Sequence, residues 1–394
     1  MNERLNGDGL MRSLSECSDS RQLNKIDADK FTRFYRVPSS RFANETQIIQ
    51  YYGYKLGQQF AEGGFANIFY ATHIMTNIQV ACKKIDLAKS LYFYVFVHCN
   101  QLIISFIARR RVISADNSKI EDLKNELFIL KKLNNPYIVK LYAHFVINTS
   151  LYIFIKFANA GTLARYVHMK GVLKERESQM LFAQMLVAIE YIHSLNIAHR
   201  DLKLENILLI RHPNDKLTIL LTDFGLSRLI SFDSDGNVVL NRTYCGTIDY
   251  MAPEIIKERP YNAFLADIWS MGVCLYVMLN DKFPFEARNS YNQLQLQLKH
   301  CWTFSDNVAE NPPDNLIHIL TTMLESDPLK RITISRLIHH PWIVDEYLFA
   351  KNYFQNYNQL KYYPQRRQQP PPSQQQRFKR QFRRKLTLPK TDRK

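Results

Sequence analysis

The stretch 197–210, IAHRDLKLENILLI, places Asp201, Lys203 and Asn206 close together, and LTILLTDFGLSR (217–228) adds Asp223. Each segment adjoins an apolar, strand-like run. Two carboxylates, an amide oxygen and an ammonium suit phosphoryl transfer. One carboxylate would orient a hydroxyl, two oxygens would ligate magnesium, and the cation would steady the moving phosphoryl charge. Any of these residues alone more often serves as a turn or cap; the set, in this order, is what makes the signal specific.

These groups need elements to hold them. A chain of 394 residues, 46% apolar and 12% aromatic, is long enough for one large domain or two ordinary ones with a sizeable core. Residues 50–110 contain strand-like pieces, and 118–345 contain longer helical patterns such as ESQMLFAQMLVAIEYIHSL (177–195). In IQVACKKI (78–85), alternation puts Ile78, Val80 and Cys82 on one face and Gln79, Ala81 and Lys83 on the other. SKIEDLKNELFILKKL (118–133) predicts a helix capped by Ser118 and Glu121, with Ile120, Leu123, Leu127 and Leu130 on its apolar stripe. Glu126 lies beside that stripe. A carboxylate there is costly unless paired, and Lys83 is its expected partner.

Taken in order, the motifs resemble those of the eukaryotic protein kinases over about residues 54–343: FAEGGFANIFYA, VACK, NELFILKKLNNPYIVKLY, HRDLKLEN, DFG, APE, DIWSMG and DPLKRITISRLIHHPW. The resemblance implies an α+β, bilobal fold, with a small β-rich lobe carrying one helix and a larger, mainly α-helical lobe. It implies ATP and Mg2+ as cofactors. Asp201 and Lys203 would be catalytic, and Asn206 and Asp223 would hold the metal. The nucleotide would meet Phe60, Ala61, Glu62, Gly63, Gly64, Phe65, Ala66, Asn67 and Ile68, with Ala81 beside the adenine and Lys83 on the phosphates. Glu126, Lys156, Ala158 and Leu208 complete that set. Glu254 and Arg331 would form a buried ion pair, and Asp267 would anchor the large lobe.

The resemblance also implies substrate and control. Lys203 in DLKLEN and Thr247 in CGTIDYMAPE are the serine/threonine form, so the acceptors would be Ser/Thr hydroxyls of protein substrates. Thr243 matches an activation-loop threonine, which an upstream activating kinase would phosphorylate and Arg200 would bind. SDGNVVLNRTYCGT (234–247) is similar to the calmodulin-dependent kinase group, and within it to the testis-specific serine/threonine kinases. The chain is expected to be monomeric.

Departures from the family pattern keep a second reading open, that of a pseudokinase or scaffold with impaired ATP binding. Where three glycines are usual the chain has Ala61, Gly63 and Ala66, and Lys156 stands where an acid is common. LYFYVFVHCNQLIISFIARRR (91–111) also intervenes between Lys83 and Glu126, within an apolar insertion at about 88–113. It is short of the roughly 20 apolar residues a membrane span needs and has HCNQ at its middle, so no membrane span is expected. It is either an excursion that packs or recruits a partner, or noncoding sequence carried into the gene; A/T-rich codons would give its Phe, Tyr, Ile, Leu and Asn.

The ends differ from the middle. Residues 1–50 and 355–394 are expected to be disordered, the latter rich in Gln, Pro and Arg. Residues 361–394 carry twelve Lys/Arg against Asp392, which is most of the formal net charge of +16. FKRQFRRK suits nuclear targeting, an acidic partner or a solvated tail, and nucleic-acid binding is disfavoured without being excluded. Scattered cysteines and an N-terminus without an apolar signal core predict an intracellular chain, cytoplasmic and in part nuclear.

Overall fold

A computed structural model describes residues 44–62, 66–86, 117–304 and 312–362. The insertion at 91–111, the loop tip Gly63, Gly64 and Phe65, and the basic tail from 363 onward therefore lie outside the described residues. Contacts divide the described chain into two units. One holds the residues up to 86 together with 143–154, and the other holds 117–142 with the residues from 155 on.

The first unit is built on a five-stranded sheet. Its strands are β1 (Tyr54–Glu62), β2 (Ala66–His73), β3 (Ile78–Asp86), β4 (Leu141–Ile147) and β5 (Ser150–Lys156), in the order β1-β2-β3-β5-β4. β1 and β2 are antiparallel, as are β2 and β3. One face carries the core of this unit: Ala71, Val80, Cys82, Phe145, Tyr152 and Phe154. The alternation expected along β3 is met by Val80 and Cys82, while Ile78, at the strand's open end, is exposed.

Helix α1 (Glu45–Tyr51) precedes the sheet and corrects the expectation that residues 1–50 lack order throughout. The Asn44 side chain accepts the Gln47 N–H at 3.0 Å, and Ile48 and Ile49 are buried in the sheet core. Two adjacent isoleucines are too few to show a helical period, so only the packing reveals the helix.

The second unit is mainly helical: α2 (Asn117–Lys132), α3 (Leu163–Lys170), α4 (Glu175–Ser194), α5 (Pro253–Ile256), α6 (Ala263–Asn280), α7 (Ser290–Leu298), α8 (Asp314–Met323), α9 (Ile334–Leu337) and α10 (Val344–Tyr362). α2 begins at Asn117, one residue before Ser118. α6 is apolar on all sides and is the only described helix long and apolar enough to cross a membrane. It is buried instead, with Trp269, Met271 and Leu275 fully enclosed, and forms the core of this unit.

Glu254 and Arg331 make the expected buried pair. Arg331 Nη1 and Nη2 donate to the two carboxylate oxygens at 2.7 and 2.9 Å, and the guanidinium lies over the Trp269 ring. α10 lies beyond the expected domain end at 343 and overlaps the expected tail at 355–362. Its Tyr347 and Lys351 both bond Glu190 of α4, which is why the chain stays helical past the motifs. The two units, one sheet-based and one helical, are the α+β arrangement the motifs implied.

Candidate active site

Two ladders bracket the polar loops. β6 (Ile197–Ala198) pairs with β9 (Arg228–Leu229), and β7 (Ile207–Arg211) pairs with β8 (Leu217–Leu221). Residues 199–206 therefore run from β6 to β7, and residues 222–227 run back from β8 to β9. Both loops are strung between the same two ladders, so Asp201, Lys203, Asn206 and Asp223 are brought to one place. The Thr222 N–H donates to the Asn206 carbonyl at 3.0 Å and joins the loops directly.

Asp267 of α6 anchors the first loop from below. Its carboxylate is buried and accepts the His199 N–H and the Arg200 N–H, each at 2.8 Å, and faces His193 Nε2 at 2.9 Å. This holds Arg200 at φ +67°, a conformation uncommon outside glycine. Asp223 is likewise at φ +64°, so a left-handed kink sits on each of the two loops. Phe224 behind it is fully buried with its ring 5.0 Å from that of His199.

His199 is enclosed and neutral. Burial pushes its pKa down, more strongly than the nearby Asp267 charge pulls it up. Nε2 faces the Thr222 carbonyl at 3.1 Å, and Nδ1 accepts the Asp201 N–H at 3.4 Å. Those two bonds need one protonated and one bare ring nitrogen.

Asp201 is the most heavily contacted group of the four. Lys203 Nζ donates to Oδ2 at 2.8 Å, Thr247 Oγ1 donates to Oδ1 at 2.8 Å, and Asn206 Nδ2 lies 3.2 Å from Oδ2. Burial alone would raise this carboxyl. The hydrogen bonds from Lys203 and Thr247, with the Lys203 charge, outweigh it and hold the pKa below the ordinary carboxylate value. Lys203 Nζ also donates to Thr247 Oγ1 at 2.8 Å, which closes a triangle of carboxylate, ammonium and hydroxyl.

Asn206 and Asp223 fit a magnesium ion by their chemistry. The Asn206 amide nitrogen is committed to the Asp201 carbonyl at 2.9 Å, leaving its oxygen as the atom offered to a cation. Asp223 is exposed, and the pair supplies the hard oxygen ligands Mg2+ takes.

The nucleotide set divides between the two units. In the first, the strand register aligns Ala61 with Ile68 and Ile68 with Lys83, and Tyr70 with Ala81. Cross-strand partners share a face. Ala61, Ile68, Ala81 and Lys83 therefore stand together on the face opposite Val80 and Cys82, as the alternation required. Glu62 pairs with Asn67 beside them, and Phe60 packs its half-open ring 4.3 Å from Tyr70. Ala61 and Ala66 lie in strands and are not among the described non-glycine residues with positive φ. Alanine is thus accommodated at 61 and 66 without backbone strain.

In the second unit, Glu126 is buried on α2, one turn past Asp122. Asp122 pairs with Arg228 at 2.5 Å, and Asn125 Nδ2 donates to the Ser227 carbonyl at 2.5 Å. The helix bearing Glu126 is thereby fastened to the segment after Asp223. Leu208 faces away from the core that holds Ile207 and Leu209, and Ala158 is half-buried beyond β5. Lys156 is half-buried as well; burial first and the Lys140 charge second push its pKa down.

Thr243 is exposed, and the Tyr261 hydroxyl donates to its backbone carbonyl at 3.0 Å. Arg200 Nε donates to the Leu226 carbonyl at 2.7 Å. The sequence pointed to Thr243 and Arg200 but not to Tyr261, since a tyrosine in KERPYNAF carries no motif of its own. Thr247 was read only as a marker of substrate type, and its bond to Asp201 came from the structure.

A sheet with a lysine-bearing strand and a helical unit with this loop chemistry suit a phosphotransferase scaffold. The protein kinase domain family matches residues 95–343, and the chain belongs to that family. It is similar to CBL-interacting protein kinase 17 of Oryza sativa subsp. japonica, 32% identical over 296 residues, 75% of this chain and 58% of the relative. It is similar to CBL-interacting protein kinase 1 of the same plant, 33% identical over 295 residues, 75% of this chain and 56% of the relative. Testis-specific serine/threonine-protein kinase 1 of Mus musculus is 30% identical over 303 residues, 76% of this chain and 74% of the relative. The match thus spans little more than half the length of the rice proteins. The resemblance to serine/threonine kinases, the testis-specific ones among them, is shown.

Proposed function

We propose that this chain is an active serine/threonine protein kinase that transfers the γ-phosphate of ATP to Ser/Thr hydroxyls of protein substrates. The observation that carries this reading is the Asp201 carboxylate, kept ionised by Lys203 and Thr247 in a loop anchored on Asp267. A substrate hydroxyl meeting Asp201 would be oriented and lose its proton to the carboxylate as its oxygen takes the phosphoryl group and ADP leaves. Lys203 Nζ, already beside Asp201, would neutralise charge on the transferred group.

Asn206 and Asp223 would hold Mg2+, whose chemistry is to neutralise the phosphate oxygens. Ala61, Ile68, Ala81 and Lys83 share the face on which the nucleotide would lie. Phosphate on Thr243 would add about −2 charge beside Tyr261 and Arg200, and so order the segment between Asp223 and Glu254. The test is phosphorylation of a degenerate Ser/Thr peptide library with ATP and Mg2+, with and without residues 91–111 and with Asp201→Asn as control. Transfer that depends on Asp201 supports the kinase. No transfer above the control from either form turns the reading to a scaffold.

A further inference from the structure

Two glutamines on α7 do something that the kinase reading leaves unexplained. Gln293 and Gln297 are one helical turn apart, and both are almost wholly buried. A buried amide is costly without partners, so its bonds identify what it is there for. Gln293 Nε2 donates to the Ile248 carbonyl at 2.8 Å, and Gln297 Nε2 donates to the Met251 carbonyl at 3.0 Å. Both reach the same short 3-10 turn, Ile248–Tyr250, and the residue that closes it.

That turn follows Thr247, whose hydroxyl is bonded to Asp201 and Lys203. Its last carbonyl, on Tyr250, accepts a hydrogen bond from Ser270 Oγ of α6 at 2.8 Å. Three consecutive attachments, two from α7 and one from α6, therefore fix the backbone immediately after the residue that touches the catalytic carboxylate. Between them, Ile248 and Asp249 are left exposed. A polypeptide whose hydroxyl reaches Asp201 must lay its neighbouring residues over this exposed part. α7 is itself held from behind, where Ser326 Oγ donates to the Gln297 carbonyl at 2.8 Å.

We propose that Gln293 and Gln297 are positioning residues for the polypeptide substrate: they clamp the Ile248–Met251 backbone so that the surface beside Asp201 is preformed before the substrate arrives. The inference rests on the kinase reading for its purpose, but the clamp itself is a property of the fold. Loss of a donor leaves a carbonyl in a buried site without that partner and loosens the turn. ATP contacts neither glutamine in this scheme, so the two substrates should respond differently.

The experiment uses the full chain and the variants Gln293→Met, Gln297→Met, Gln293→Glu and Gln297→Glu. Methionine keeps the length and removes the donor, whereas glutamate keeps the shape and turns an acceptor toward an acceptor. KM is measured for ATP and for a serine peptide that the wild type phosphorylates, and amide hydrogen exchange is followed at residues 247–255. The methionine variants should raise peptide KM about tenfold, with ATP KM unchanged and exchange at 248–251 faster. The glutamate variants should exceed them in the same direction. Wild-type peptide KM in both methionine variants, or faster exchange without a change in peptide KM, overturns the proposal, as does an equal loss toward peptide and ATP. A wild-type chain without transferase activity refutes the kinase reading, and unchanged exchange refutes the clamp independently of it.

Discussion

The loop bearing Asp201 and the segment around Thr243 lie in the same unit and are built in opposite ways. Residues 199–206 are tied down at nearly every position, through Asp267, Thr222, Lys203 and Thr247. Between 231 and 244 the backbone is held by a local turn around Asp233, by the Tyr261 hydroxyl on the Thr243 carbonyl and by two isolated bridges, Phe232 with Val238 and Asn241 with Tyr261, while Val239, Leu240 and Tyr244 are about half exposed. The contrast separates two tasks. Chemistry needs atoms fixed within fractions of an ångström, whereas control needs a segment whose stability lies near the threshold for rearrangement.

The largest expected effect is on the rigid side. Asp201→Asn keeps the shape of the loop and removes the base, so phosphoryl transfer should fall about 10²- to 10⁴-fold in a peptide assay while the unfolding midpoint stays near wild type. If turnover survives, the rigid loop is not where the chemistry occurs. Next comes the anchor: Asp267→Asn turns an amide N–H toward a backbone N–H in a buried site. It should cost about 2 to 4 kcal/mol in urea unfolding and lower activity at the same time.

On the loose side the signature should reverse. Thr243→Ala should lower kinase activity strongly, about tenfold or more for loss of one charge-assisted cluster. Because the side chain is exposed, stability should change by no more than about 0.5 kcal/mol. Equal losses of activity and stability would erase the distinction between the two regions.

The smallest effect is the pH response of the rigid loop. His199 has a lowered pKa in the folded state, so acidification protonates the unfolded chain first. The stability it contributes is complete above the unfolded value of about 6.5 and is lost as pH falls from there toward the folded value. Urea midpoints should therefore drop between pH 7.5 and 5.5, and less so in His199→Gln. Asp201 acts lower still. Its depressed pKa gives stability that is present above the ordinary carboxylate range and is lost only as pH falls through and below it.

That Asp201, Lys203, Asn206 and Asp223 come together was legible because their types, order and flanking apolar runs are jointly specific. Asp267, Glu254 and Arg331 were legible through neighbouring motifs. What escaped did so for identifiable reasons. QLQLQL in α7 alternates with the period of a strand, yet Asn289 caps a helix there by accepting the Asn292 N–H, and the clamp residues are hidden within that pattern. Tyr261 acts through a hydroxyl whose partners are set by tertiary placement alone. α1 and α10 lie outside the motif-bearing stretch, and their packing partners, the sheet core and Glu190, are remote in sequence.

α10 also bears on how the chain is made. The Tyr137 hydroxyl donates to the Ala350 carbonyl, a partner 213 residues away, and the Tyr137 and Tyr191 rings pack tilted and edge-on against Tyr353 and Phe354. During synthesis the early aromatic residues emerge long before the helix that covers them. At about 5 to 20 residues per second, they wait on the order of ten seconds or more with that face uncovered. The helical unit is therefore completed only once α10 has left the ribosome.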